Sequence, residues 1–111
     1  MDPREAMKKR MEARRTVQEF FKSKRKALNV GPFWDFSAEN RFKRTFLARM
    51  NAIARDAEME AMRLAEKGSD WNVALQKAQM RLEELKKDAF KELGEGAPWE
   101  NRKLIELIRS L

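Results

Sequence analysis

Gly68 divides a run of apolar residues that keeps helical spacing on both of its sides. Before it stand Phe46, Met50, Ile53, Ala57, Ala61 and Leu64; after it stand Trp71, Leu75, Ala78, Leu82, Leu85, Ala89 and Leu93. The second set advances by 4, 3, 4, 3, 4 and 4 residues, the seam of one helix packed along another. Reversal at Gly68 brings Leu64 level with Leu75, Ala57 with Leu82, Ile53 with Leu85 and Phe46 with Leu93, so both halves agree on one register. The chain is therefore predicted to be all-α: a long antiparallel helical hairpin over residues 37–93, flanked by a basic N-terminal helix and a short C-terminal helix. At 111 residues the whole is read as one helical unit.

Punctuation sets the expected boundaries. Asp2-Pro3-Arg4-Glu5 reads as a capped start with proline in the first turn and a capping box, opening a helix over 3–28. Asn29-Val30-Gly31-Pro32 stops it, with glycine expected to take positive φ. Ser37 caps a second helix that reaches Lys67; a third starts at Ser69 or Asp70 and ends at Leu93, before Gly94. Phe33-Trp34-Asp35-Phe36 is expected to plug the open end of the hairpin against Phe42, Phe46 and Leu93, with stacking on unpaired bases as the alternative. Gly96-Ala97-Pro98-Trp99-Glu100 resembles the same device and opens a last helix over 98–111. A helix that short does not hold alone in water, so it must dock on its own hairpin or on a neighbour.

Composition narrows the chemistry. With no cysteine and no histidine, thiolate chemistry, the usual zinc and transition-metal sites and histidine-based acid–base work lose their groups. The carboxylates and lysines fall in no catalytic spacing. The expectation is a non-enzyme with no catalytic residues, no cofactor and no metal. No run approaches the 18 apolar residues of a membrane-spanning helix.

The net charge of +7 is concentrated in the first helix, where residues 1–28 carry ten Lys/Arg against four Asp/Glu. Glu5, Glu12 and Glu19 form one stripe, beside a second of Arg4, Lys8, Arg15, Lys22 and Lys26; pairs three apart, such as Glu12 with Arg15, are expected to neutralise one another on an ordinary solvated face. Another face mixes Met7, Met11, Val17, Phe21 and Leu28 with Arg10, Arg14 and Arg25. Either the arginines snorkel over the core, or this face docks on a partner offering apolar grooves and anionic groups. Met59, Met62 and Met80 fall on outer faces of the hairpin and are candidates for a second contact.

The expected partner-binding residues are thus Arg10, Arg14, Arg25, Met7, Met11, Val17, Phe21, Met59, Met62 and Met80. The expected function is that of a structural or assembly subunit, meeting other protein subunits of a large complex. An RNA-binding protein of ribosomal type, touching phosphates through the first helix, is the alternative; a helical adaptor or inhibitor is a further one. Peripheral membrane contact through the first helix is the weakest reading, because bulky apolar residues there are few. The expected location is intracellular, mitochondrial or cytoplasmic.

Overall fold

The computed structural model describes residues 2–94 and 101–111, and the protein is all-α. Helix α1 spans Pro3–Leu28, α2 Ala38–Glu66, α3 Asn72–Leu93 and α4 Arg102–Arg109. The Gly96–Glu100 device and the start of the last helix at Pro98 or Trp99 lie outside the described residues.

Each start and stop has a local cause. The Asp2 carboxylate accepts the Arg4 N–H (3.2 Å) and Pro3 occupies the first turn of α1. Asn29, not Gly31, takes the left-handed conformation after α1 (φ 50°), which asparagine tolerates better than most residues. The Ser37 hydroxyl caps α2 by accepting the Asn40 N–H (3.2 Å). Gly68 turns the chain at φ 72°, while the Asp70 carboxylate accepts the Asn72 N–H (3.0 Å), so α3 opens two to three residues later than expected.

Helix α2 is the central element, packed on α1 along one side and on α3 along another. Polar links give both directions. Arg10 meets Glu66, Arg14 meets Glu58 and Arg25 meets Asn51, so α1 runs antiparallel to α2. On the other side Lys77 meets Glu60, Arg81 meets Asp56 and Arg49 meets Glu92, close to the offsets at which Ile53 pairs with Leu85. Ala54, Ala57, Ala61 and Ala65 of α2 and Ala74 and Ala78 of α3 are all buried, and their small side chains let the backbones approach near the turn.

The core of α1 consists of Ala13, Val17, Phe21 and Leu28, each at 0% exposure. This corrects two expected docking residues: Val17 and Phe21 are enclosed by the protein's own core and present nothing to a partner. Met7 and Met11 stay outside because they sit roughly a quarter-turn or more around the helix from that stripe.

The last helix lies against α3 and α1, burying Leu104 and Ile108, and Leu111 just beyond it is buried too. Two lysines serve its C-terminal end, where main-chain oxygens lack helical partners. Lys86, only 7% exposed, donates to the Arg109 carbonyl (3.2 Å) and to Glu83 (3.1 Å); Lys24 donates to a main-chain oxygen of Leu111. No buried side-chain nitrogen or oxygen lacks a partner among the described residues.

Leu82 and Leu85 are 2% and 8% exposed, and truncating either to alanine is expected to cost about 2–5 kcal/mol of unfolding free energy in denaturant titrations. Met11→Ala, on the solvent side, should change stability by about 0.5 kcal/mol or less.

Candidate functional site

Three surfaces carry residues that neither the core nor the helix ends use. The first is the loop between α1 and α2. A plug was expected there, but Phe33, Trp34 and Phe36 are 78%, 66% and 71% exposed. The reason lies in Asn40, in the first turn of α2 and buried at 3% exposure. Its Oδ1 accepts the Gly31 N–H (2.6 Å), and its Nδ2 donates to the Asp35 carbonyl (3.0 Å) and, at longer range, to that of Pro32 (3.4 Å). The loop backbone is drawn in toward Asn40, and its aromatic side chains face out. Val30, Phe42 and Leu93 pack on the core in their place. Gly31 is required for close approach rather than for its φ: a Cβ there would stand 2.9 Å from the Asn40 Oδ1.

Charged groups complete this loop. The Asp35 carboxylate accepts the Ser37 N–H (3.0 Å), and that bond, with the Ser37 hydroxyl and the nearby Arg44 and Lys43 charges, holds its pKa below the ordinary carboxylate range. Arg44 donates to the Pro32 carbonyl (2.6 Å) and stands 5.9 Å from the centre of the Phe36 ring. Phe33 and Trp34 meet edge to face, 5.1 Å apart at 82°. Three aromatic rings are thus presented to solvent from a backbone fixed by polar bonds.

The second surface is the outer side of the α1–α2 pair. Met7, Arg14, Gln18 and Arg25, spaced by seven, four and seven, make the row of α1 that borders α2; Arg44, Asn51, Arg55 and Met62, with the same spacing, make the facing row of α2. Arg14–Glu58 (3.4 Å) and Arg25–Asn51 (2.7 Å) join these edges. Arg10 is likewise committed, 2.9 Å from Glu66. The three arginines expected to face a partner therefore bridge α1 to α2. The row beyond them, Arg4, Met11, Arg15, Lys22 and Lys26, is exposed throughout. The expected pairs Glu5/Lys8, Glu12/Arg15 and Glu19/Lys22 do not form among the described residues. Pairs of this kind contribute only about 0.2–0.5 kcal/mol, too little to hold two long solvated side chains together. Met59 is 72% exposed farther round α2, and Met62 is half-buried.

The third surface is a groove between α1 and α3, lined by Phe20, Lys24, Gln79, Met80, Leu82 and Leu111, with Gln76 and Glu83 on its α3 wall. Met80, 69% exposed, belongs here and not with the other methionines. The ten expected residues thus divide: two in the core, three bridging α1 to α2, four on outer faces of α1 and α2, and one in the groove. Two further features escaped the sequence reading, the outward aromatics and the lysine clamp on α4. The glycine–proline turn around the aromatics was a usable signal for the first; for the second there was none.

Among the described residues, no cluster of His, Cys, Asp or Glu is placed to hold a metal ion, and no helix is long and apolar enough to cross a membrane. Comparison with protein-family models, with curated proteins and with solved structures finds no match to this chain.

Asn40→Ala is expected to cost about 1–3 kcal/mol, because it strands the Gly31 N–H and the Asp35 carbonyl. Faster hydrogen exchange of the Gly31 amide than in the parent protein measures the release of the loop directly. Since the folded pKa of Asp35 is lowered, its stabilising contribution is complete above the ordinary carboxylate value and is lost as pH falls through the folded one. An acid titration followed by the Ser37 amide resonance should show this loss, and Asp35→Asn should remove it.

Proposed function

We propose that the protein is a non-catalytic structural or assembly subunit that receives a helix of a partner protein in the groove between α1 and α3. The observation that supports this reading is that the chain already seats a helix between the same two elements. α4 lies against α3 and α1 with Leu104, Ile108 and Leu111 buried, and the open groove begins where Leu111 ends. Phe20, Leu82 and Leu111 supply apolar lining, and Met80 supplies an adaptable rim. A partner helix with apolar residues at positions i, i+4 and i+7 repeats the face that α4 presents.

Binding of this kind needs little rearrangement of the host, because the groove is bounded by two helices that α2 already holds. Gln76, Gln79 and Glu83 on the α3 wall offer hydrogen bonds to polar flanks of the incoming helix, and Lys24 offers a positive charge. Val73 at 51% exposure extends the apolar rim along the outer side of α3.

The test is the double variant Gln79→Glu/Met80→Glu, two exposed positions whose change should leave the melting temperature and helical content as they are. The tagged parent protein, isolated gently from its own cells, is expected to run as a large particle that survives nuclease treatment. The double variant should instead run at the size of the free, unassembled protein. Incorporation of the variant at parental levels contradicts the groove as the binding site, and dissolution of the particle by nuclease moves the partner to RNA.

A further inference from the structure

The side of the molecule formed by α1 and α2, carrying the two outer rows and the aromatic loop, has a chemistry of its own. Residues 1–52 carry fourteen Lys/Arg against six Asp/Glu, whereas residues 53–111 carry eleven against twelve, so α1, the loop and the first half of α2 hold the entire positive excess. From Arg4 to Lys26 the outermost row spans about 33 Å at 1.5 Å per residue. Arg4, Arg15, Lys22, Lys26 and Arg55 have no carboxylate within ion-pair distance among the described residues. Of the acids bordering this side, Glu66 is taken by Arg10, Glu58 by Arg14, Glu39 by Lys43 and Asp35 by the Ser37 amide, while Glu5, Glu12 and Glu19 stand exposed in the stripe beyond the basic row and leave it a net positive, not a purely cationic, border.

Large apolar groups share the side with these cations. Met7 and Met11 are 65% and 58% exposed on the α1 rows. At the end of α1 the aromatic loop continues the surface, since Phe36 lies by Arg44, and Arg44 belongs to the α2 row of Asn51, Arg55 and Met62. We infer that this side lies on an anionic lipid bilayer, with α1 and α2 along the headgroup plane, the basic row on lipid phosphates, and Phe33, Trp34 and Phe36 entering the acyl boundary.

Two observations favour a bilayer over a nucleic acid. Base edges are read by arginine, lysine and amide side chains together; this side has the cations, but its only amides are Gln18 and Asn51, the second already taken by Arg25, so little beyond charge is offered to a base. Stacked bases bring phosphates alongside the rings and so want cations there, whereas the residue fixed between Trp34 and Phe36 is the acid Asp35. A line of cations with interspersed methionines, ending in exposed Trp and Phe, instead matches the layering of an interface: phosphate outermost, then glycerol and acyl carbon, where aromatic side chains concentrate. The inference is independent of the groove, which faces the other way between α1 and α3.

The experiment is sedimentation of the full chain with vesicles of phosphatidylcholine alone and of phosphatidylcholine mixed with phosphatidylglycerol. The expected result is binding to the mixed vesicles only, weakening with added salt. Arg15→Glu/Lys22→Glu/Lys26→Glu should lower the partition coefficient by about tenfold or more while keeping the parental helical content, and the milder all-glutamine variant should lower it less. In a Trp71→Phe/Trp99→Phe background, brominated acyl chains should quench Trp34. Absence of binding to the mixed vesicles, binding indifferent to the charge reversal, or binding that leaves Trp34 unquenched overturns the inference. So does RNA that displaces the protein from the vesicles while binding it more tightly. Gln79→Glu/Met80→Glu should bind vesicles like the parent, which separates failure of this inference from failure of the groove.

Discussion

The double burial of α2 is the constraint on which the rest of the structure depends. Helix α2 is flanked by α1 on one side and α3 on another, and its buried residues, from Phe46 and Met50 to Ala61 and Ala65, face the wedge between those two neighbours. The apolar stripe of α1 is consumed by this contact, so Val17 and Phe21 turn inward and the cations of α1 are forced outward. A groove necessarily remains where α1 and α3 stand beside one another without α2 between them. α4 closes part of it, with apolar side chains below and two lysines at its C-terminal end. The exposed groove and the basic side are what this packing leaves over.

Polar groups then fix the ends that apolar packing leaves loose. Asn40 substitutes one buried amide for the contacts a packed aromatic plug would have made, satisfying a loop N–H and two loop carbonyls. A buried side chain with its hydrogen-bonding capacity met in this way confers geometric definition more than net stability. Lys86 acts similarly at α4: its buried stem packs in the core while its ammonium reaches the Arg109 carbonyl and Glu83. Interhelical ion pairs such as Arg81–Asp56 (3.0 Å) are exposed, and their contribution is to register rather than to free energy.

Much of the fold is legible in the amino-acid sequence. Helix α1 was predicted over 3–28 and is found there, because Asp2, Pro3 and the Asn29–Pro32 stop are strong local signals. The spacing of Leu82, Leu85 and Ala89 announces a seam, and these three are buried, whereas Leu64, Trp71, Leu75 and Leu93 at its ends are only half-buried. What periodicity states is the angle of a residue around its own helix; it is silent on which neighbour occupies that angle. Arg10, Arg14 and Arg25 therefore read as partner contacts when Glu66, Glu58 and Asn51 lay opposite, and Lys8, Arg15 and Lys22 read as neutralised when Glu5, Glu12 and Glu19 stayed in solvent. Ala13 was missed because alanine serves a core and a surface equally well. The outward aromatics were missed because their direction is decided by Asn40, which carries no apolar signal at all.

The central claim is that α1 turns Val17 inward and Met11 outward, since the packing of α2 and both proposed surfaces follow from that rotation. The absence of cysteine from the chain makes a clean test possible with single substitutions. Val17→Cys and Met11→Cys would each be exposed to a thiol reagent under native conditions and again in denaturant. The account predicts that Cys at position 11 reacts at nearly the rate of the unfolded chain, while at position 17 it is protected until the protein unfolds. Equal native rates at the two positions, with helical content retained, would contradict it and return the Val17 face of α1 to solvent.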